Sequence, residues 1–284
     1  MRLIEACKFH GHGNDFLIVP AEQVPDSSQS AFARSICDPH FGIGADGCIF
    51  VSREDKGAFR AAIFNQDGSQ TGMTGNGVRC VAAFLHYREL AKGQDLEIKT
   101  LSGRKIYTLL DRGELRWTYR SLMGEPSFAP SQIPFSADTD RIQDFPIDVR
   151  GEIIRITALW VGNPQCVVFV DELPEWRRFL ELGEALEAHP LFPEKTNVSF
   201  AKVEGKNQVR ILIYERGVGP THSSGTGSCG AAVAAIAAGK VESPVEVKTQ
   251  TGVQTVEWRP GHEIVLTGAA ELIGEVKFAW RAGD

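Results

Sequence analysis

A Gly-rich turn between a strand and a helix occurs twice in the chain, and this repetition constrains the fold more than any other feature. The first copy, TGNG at residues 74–77, follows the apolar run 58–64 and precedes apolar residues at helical spacing. The second copy, SGTG at residues 224–227, begins 150 residues later and precedes the segment GAAVAAIAAG. Both copies predict a turn at which a buried helix begins.

Two further pairs of positions recur at the same distance along the chain. Gly13-Asn14 matches Gly162-Asn163 at an offset of 149, and Gly47 aligns with Asn197 at an offset of 150. Matches at one offset are unexpected by chance, even in a chain with 29 glycines. We therefore predict an internal duplication, in which two similar lobes are built from one chain.

The start of a helix is a natural place for an anion. Its first N–H groups have no partner within the helix, and the helix dipole is positive there. A carboxylate can dock on these groups, and glycine lets a ligand approach the backbone closely. A tight turn without any ligand is the competing interpretation for one copy alone. Two facing copies would instead form a cleft between the lobes, which is a common site for a small ligand.

The length of 284 residues suits two lobes of ordinary domain size. We expect an N-terminal lobe over residues 1–122, a crossing segment over 123–150 and a C-terminal lobe over 151–284. Whether C-terminal residues complete the first lobe stays open. The crossing segment is rich in Pro, Ser and Asp and has weak periodicity. Short strands dominate both lobes, and the last of them is predicted over 264–268. Helical spacing predicts helices over 28–36, 176–187 and 231–238, besides the helix that follows residues 74–77.

Composition excludes several classes of function. The net charge of −6 gives no basic surface for nucleic acid, and no apolar run approaches the ~20 residues of a membrane span. The N-terminus lacks a signal-peptide pattern, so we expect a cytoplasmic protein. The six cysteines are scattered without a metal-ligand spacing, so we expect free thiols and no metal. Histidines 10 and 12 with Asp15 could suggest a metal or acid–base site, but a polar turn between paired strands is the preferred interpretation.

A set of motifs along nearly the whole chain carries a resemblance to a known family. They are KFHGHGNDFLIV, FGIGADG, FNQDGS, GNGVRC, MGEP, GNPQCVVFV, TNVSF, YERGVGPT and SGTGSCGAA. The sequence resembles the diaminopimelate epimerases, which are pyridoxal-independent amino-acid epimerases of lysine biosynthesis. The resemblance implies an α/β (α+β) fold of two pseudo-symmetric lobes, each a barrel-like, mostly antiparallel sheet around a central helix. It also implies an amino-acid ligand and no cofactor, and a homodimer stays open.

The resemblance also implies a set of site residues. The substrate-binding positions would be Asn14, Asn65, Gly75, Asn76, Asn163, Gln165, Asn197, Glu215, Arg216, Gly225 and Thr226. Inverting a stereocentre takes a proton from one face of the α-carbon and returns one to the other, so two acid–base groups must flank that carbon. The helix N-termini and Arg216 would hold the carboxylate and spread the charge of the carbanion.

The sequence departs from the family where the acid–base groups belong. The family uses two cysteines, and these align with Thr74 and Ser224. Hydroxyl groups are much weaker acids than thiols and need an adjacent base to act. Gln165 stands where the family often has a histidine, so that helper is also replaced. Glu215 remains as a catalytic candidate, and His222 is either a new base or a surface loop histidine.

Three functions therefore remain open from the sequence. The first is an epimerase-type isomerase that works weakly or on an altered substrate. The second is a lyase that eliminates water from a hydroxylated amino acid. The third is a binding protein that keeps the cleft without turnover.

Overall fold

The structure is a computed structural model that describes residues 1–54, 57–72 and 74–281. The helices in this part of the chain are α1 (Gln29–Cys37), α2 (Gly75–Tyr87), α3 (Trp176–Glu187) and α4 (Gly225–Ala237). The strands are β1 (Arg2–Gly11), β2 (Asn14–Pro20), β3 (Gly47–Arg53), β4 (Phe59–Asn65), β5 (Gln70–Thr71), β6 (Asp95–Thr100), β7 (Gly103–Arg112), β8 (Arg116–Leu122), β9 (Phe145–Val149), β10 (Glu152–Trp160), β11 (Pro164–Phe169), β12 (Asn197–Gly205), β13 (Gln208–Glu215), β14 (Gly219–Thr221), β15 (Val245–Thr249), β16 (Gly252–Glu257) and β17 (Val265–Trp280).

The contacts between residues divide the chain into two compact units. Unit 1 contains Met1–Ser121 and the chain from Gly268 onward, and unit 2 contains Leu122–Thr267. Strand β17 contributes its first residues to unit 2 and the rest to unit 1. Residues 123–150, expected from the sequence to form a crossing segment, belong to unit 2, and they include strand β9, which pairs with β10.

Unit 1 contains a closed barrel of eight strands. The pairings run from β1 through β2, β3, β4, β6, β7 and β8 to β17, and β17 pairs with β1 to close the ring. In this ring the pairs β2–β3 and β4–β6 are parallel. Every residue of α2 from Asn76 to His86 is buried, and the helix packs in one core with Phe9, Trp117 and Tyr119. A helix buried on all sides must form the centre of its unit.

Unit 2 repeats the order of elements found in unit 1. Strands β10, β11, β12, β13 and β15 follow the pairing pattern of β1, β2, β3, β4 and β6, and α4 begins 150 residues after α2. The segment after β8 completes the sheet, because Met123 N–H donates to the Ile264 carbonyl and Ser127 bridges to Trp160. The expected α/β fold with barrel-like, mostly antiparallel sheets around central helices is therefore confirmed.

The small residues of α4 explain how it fits inside its sheet. Ala231, Ala232, Ala234 and Ala235 are all fully buried and share a core with strand residues such as Val247. Alanine keeps side-chain volume low and has the best helix propensity, so the backbone can lie close to surrounding strands. The helix predicted over 231–238 in fact begins six residues earlier, because a side-chain cap starts it at residue 225.

The prediction of α3 over 176–187 is confirmed without a shift, and that of α1 is correct within one residue. The last predicted strand, 264–268, was too short, because β17 runs to Trp280 and pairs with β1 along most of its length. None of the helices in the described part of the chain is long and apolar enough to cross a membrane.

Helix α3 packs closely against β13 through a glycine. A Cβ atom at position 183 would lie 2.6 Å from Cδ2 and 2.8 Å from Cγ of the Tyr214 ring. Real Cβ atoms do not approach a ring this closely, so a larger residue must push the helix away from the strand.

We expect Gly183→Ala to lower the free energy of unfolding by about 1–3 kcal/mol, because the overpacking outweighs the better helix propensity of alanine. Urea denaturation followed by circular dichroism measures the change. Gly205→Ala is the matched control, since no heavy atom lies within 4 Å of a Cβ at that position. Equal stability of the two variants would contradict the close packing of α3.

Candidate functional site

Helix α2 begins at a threonine whose side chain caps it. Thr74 has extended backbone angles (φ −142°, ψ 121°), and its Oγ1 accepts a hydrogen bond of 3.3 Å from the Gly77 N–H. This N-cap satisfies one of the N–H groups that would otherwise lack a partner. Among the described residues, no heavy atom beyond the chain neighbours and the backbone of the helix itself lies within 4 Å of a Cβ built on Gly75.

Helix α4 begins in the same way at Ser224. Its backbone angles (φ −143°, ψ 130°) are nearly those of Thr74, and its Oγ accepts a bond of 3.2 Å from the Gly227 N–H. The backbone is thus the same at the two positions that align with the catalytic cysteines of the resembled family. Each holds a hydroxyl oxygen at the N-terminus of a buried helix.

Three asparagines of unit 1 lie around the start of α2. Asn14 begins β2 and pairs with Gly11, and a Cβ at Gly11 would lie 3.2 Å from the Asn76 Cβ. Asn65 ends β4, pairs with Gly47 and donates a bond of 2.9 Å to the Ser69 hydroxyl. Gly11, the strand partner of Asn14, therefore lies against Asn76, while Asn65 belongs to the adjoining strand pair.

An aspartate that the sequence analysis missed orients Asn14. The Asp46 Oδ2 accepts a bond of 2.6 Å from the Asn14 Nδ2 and one of 3.0 Å from the Asp15 N–H. Asp46 lies in the loop FGIGADG, just before β3. This carboxylate occupies the amide N–H side of Asn14, which leaves the carbonyl oxygen of the side chain as the acceptor for another partner.

The site residues of unit 2 are joined by a chain of hydrogen bonds. Gln165 Nε2 donates to Asn163 Oδ1 at 2.7 Å, and Asn163 Nδ2 donates to Thr226 Oγ1 at 3.4 Å. Thr226 Oγ1 lies 3.4 Å from Ser224 Oγ. Gln165 is buried, and its Oε1 atom has no hydrogen-bond partner. Four of the predicted site residues therefore form one polar network that ends on the cap of α4.

Asn197 connects two further segments of unit 2. It begins β12 beside Gln165 on β11, its Nδ2 donates 2.9 Å to the Pro164 carbonyl, and its Oδ1 accepts 3.1 Å from the Arg216 N–H. The Arg216 side chain donates to the Glu194 carbonyl at 3.1 Å. The β13–β14 turn that begins with Glu215 is thereby fixed relative to β11.

Glu187 also holds this turn and was missed in the sequence. Its Oε1 accepts a bond of 2.8 Å from the Gly217 N–H, and Lys195 Nζ lies 3.2 Å away. Glu187 is the last residue of α3, so its position is set by packing that no local motif reveals. Buried carboxylates of this kind are paired, because an unpaired buried charge is costly.

His222, the possible new base, is exposed at the end of β14. Its Nδ1 lies 2.6 Å from the Gln250 Oε1, which can only accept, so Nδ1 carries the proton and Nε2 is the acceptor of the neutral ring. The residue lies two positions before Ser224. The assignment of His222 as a base stays a prediction.

Of the histidines near the N-terminus, His12 lies in the tight hairpin turn and His10 lies on β1, opposite Asp15. His12 and Gly13 connect β1 to β2 with positive φ angles of 55° and 84°. Burial first, and then the charge of Arg79, lower the pKa of His12 to about 3, so the ring is neutral at neutral pH. Within the described residues no group of three or more His, Cys, Asp and Glu side chains could hold a metal ion.

All six cysteines are buried free thiols. Burial raises the pKa of Cys37 and of Cys80 to about 12, and it also raises the pKa of Cys48 and of Cys166. The pKa of Cys7 is also raised, mainly by burial. Since the thiolate is the reactive form, burial keeps these five cysteines inert near neutral pH.

The fold is shared with solved structures of an amino-acid epimerase and of a PhzF-family protein. A structure of a hydroxyproline epimerase from Agrobacterium vitis, with bound trans-4-hydroxy-L-proline, covers 97% of this chain and 92% of its own with a TM-score of 0.69 and 16% identity. A PhzF-family phenazine biosynthesis protein from Bacillus anthracis has a TM-score of 0.70 and 16% identity and covers 99% and 100% of the two chains. At this identity the likeness shows the fold.

Sequence comparison gives the family. The profile of the family described as "Diaminopimelate epimerase" matches residues 6–129 and 157–273. Diaminopimelate epimerases of Moorella thermoacetica and Pelotomaculum thermopropionicum are 40% and 37% identical, over 93% and 96% of this chain and 95% and 98% of their own lengths. The chain belongs to the diaminopimelate epimerase family.

We expect Thr74→Ala and Ser224→Ala each to lower the free energy of unfolding by about 0.5–2 kcal/mol, because each removes the oxygen that caps a helix. Urea denaturation measures the loss. Thr74→Ser and Ser224→Thr keep the oxygen and are the matched controls. Equal losses in the alanine and hydroxyl variants would show that the cap bonds do not stabilise these helices.

The buried cysteines should be unreactive in the folded protein. With a pKa of about 12, the thiolate fraction of Cys37 or Cys80 at pH 8 is about 10⁻⁴. A chromogenic disulfide reagent should therefore label all six thiols in denaturing urea and almost none in buffer. Ser131→Cys, at an exposed position, is the control that should add one prompt thiol. Rapid labelling of a native cysteine would contradict this burial.

Proposed function

We propose that the protein is an isomerase that acts slowly at the α-carbon of an amino acid, with diaminopimelate as the first candidate, bound between the two units. The observation that carries the proposal is the pair of N-cap hydroxyls, Thr74 and Ser224. Each occupies a position that holds a cysteine in the resembled family, and each already accepts an N–H of its own helix. The ligand is then that of the family, and the rate of proton abstraction is lower.

The two helix starts suit a carboxylate. Each presents N–H groups at the positive end of a buried helix, where an anion is stabilised. Open space beside Gly75 leaves the backbone of α2 accessible. Asparagine side chains adjoin both helix starts, and their amides can bind both an ammonium group and a carboxylate. The retention of Asn163 and Asn197 in bonded networks argues against loss of the site.

The chemistry of the hydroxyls limits the rate. Abstracting an α-proton requires a base whose pKa lies near the working pH, and each positioned base typically contributes about 10²–10⁴-fold. A serine or threonine hydroxyl is a poor base without an activating partner. Ser224 lies next to Thr226 and the amides behind it, and amides do not titrate near neutral pH. The buried cysteines with raised pKa values provide no substitute thiolate.

We expect solvent deuterium exchange at the α-carbon of diaminopimelate to be at least about 10²-fold slower than in a two-cysteine relative. Nuclear magnetic resonance measures this exchange even without net inversion. Thr74→Cys with Ser224→Cys should raise the rate, because two thiols restore both bases. The single Thr74→Cys variant is the comparison, since one base can support exchange but not inversion, so only the double variant should also invert the stereocentre. Fast exchange in the unaltered protein that survives substitutions at Thr74, Ser224 and His222 would refute the site.

Calorimetry with a panel of amino acids tests binding separately from turnover. Binding of diaminopimelate without any exchange, even in the double-cysteine variant, would favour a binding protein. Fast exchange that is lost in His222→Ala would show that the histidine has become the base. Failure to bind any α-amino acid would overturn the proposed ligand class.

A further inference from the structure

Arg79 is a buried cation beside a predicted substrate residue. It lies one turn after Asn76 on α2, and 1% of its surface is exposed. Its Nη2 donates to Asn76 Oδ1, and its Nε donates a bond of 3.0 Å to the Ala269 carbonyl on β17. The guanidinium therefore joins the start of the helix to the barrel wall of unit 1.

Two glycines make the space that the guanidinium fills. A Cβ at Gly268 on β17 would lie 2.9 Å from Nη1 and 3.0 Å from Cζ of Arg79. A Cβ at Gly11 on β1 would lie 3.3 Å from Nη2. Both strands thus lack side chains where the guanidinium packs, so the planar group is enclosed by backbone.

A charge at this position is costly to bury. Removing a guanidinium from water carries a large desolvation cost, and a well-packed apolar side chain often replaces a buried charge without loss of stability. The position lies near the N-terminal, positive end of α2, where a second positive charge is unfavourable. The charge of Arg79 contributes, after burial, to the lowered pKa of His12.

An anion at the start of α2 would offset this unfavourable potential. Arg79 can only donate hydrogen bonds, so its bond to Oδ1 fixes the direction of the Asn76 carboxamide. The two N–H groups of Nδ2 are then on the opposite branch of the amide, away from the guanidinium. A carboxamide fixed in this way offers N–H donors to an anion, as the backbone N–H groups at the start of the helix do.

Unit 2 has no such charge at the equivalent position. Cys229 lies 150 residues after Arg79, and Thr226 lies 150 residues after Asn76. Thr226 receives a bond from the neutral amide of Asn163 instead. The two helix starts therefore have the same kind of cap, but only the start of α2 has an arginine one turn further on.

We propose that Arg79 is a positioning residue that holds the Asn76 carboxamide as a donor to the ligand carboxylate and makes the start of α2 the stronger carboxylate site. The inference rests on the proposed amino-acid ligand. It assigns Arg79 a part in selecting acids over neutral analogues, through Asn76 rather than by contact with the ligand.

Calorimetry with diaminopimelate and its diamide, in which both carboxylates are neutral amides, tests this role. We expect the unaltered protein to prefer the acid and Arg79→Met to reduce that preference about 10-fold or more, with little change for the diamide. Cys229→Ala, at the equivalent position of unit 2, is the control that should keep the preference. Equal weakening of both ligands would show a structural role and overturn the inference.

A second comparison applies where Arg79→Met fails to fold. Asn76→Ala should show the same loss of preference, and Arg79→Lys combined with Asn76→Ala should lose little more than Asn76→Ala alone, because the two residues act through one contact. Additive losses would overturn the inference. If the unaltered protein binds neither ligand, the proposed function fails, whereas binding with a preference that Arg79 does not affect refutes only the role of this residue.

Discussion

The hydrogen bond from a helix N–H to the side chain before the helix is the interaction on which the site depends. Thr74 and Ser224 have nearly the same backbone angles, and each side-chain oxygen accepts a hydrogen bond from the N–H three residues later. This bond fixes a hydroxyl at the start of a buried helix. The surrounding strands then determine which side chains lie in that region of each unit, because several of the predicted site asparagines stand at strand ends. A cap serves stability first, and the chemistry available there is set by which atom the capping side chain supplies.

The two units share this backbone design but differ in the groups behind it. In unit 2 a chain of neutral amides from Gln165 through Asn163 ends on the hydroxyls of Thr226 and Ser224. In unit 1 a guanidinium holds Asn76, and a carboxylate, Asp46, holds Asn14. A racemase needs opposite tasks on the two faces of a carbon, so identical surroundings are not required after a duplication. The two units therefore share the backbone of the site and differ in the side chains that hold the site residues in place.

Much of the fold could be predicted from the sequence, because the spacing of apolar residues and the repeated Gly-rich turns indicate it. The amphipathic period of α3 gave its limits, and the repeated turns gave the starts of two lobes. The start of α4 was missed, since GTGSCG has poor helix propensity and only burial and the cap override it. The length of β17 was missed as well, because its Gly-Ala stretch resembles the end of a strand and pairing with β1 decides otherwise.

Asp46 and Glu187 lie about 30 residues from the groups they hold, and nothing local in the sequence marks Arg79 as buried, because arginine is usually exposed.

Strand β17 has a consequence for how the chain is made. Unit 1 closes only when residues after Gly268 pair with β1, and β1 is at the opposite end of the chain. During synthesis the first barrel therefore stays open, with one edge of β1 unpaired, until the residues after Gly268 have left the ribosome. Unit 1, unlike unit 2, is therefore not a contiguous piece of chain, and loss of the residues of β17 that pair with β1 should open its barrel.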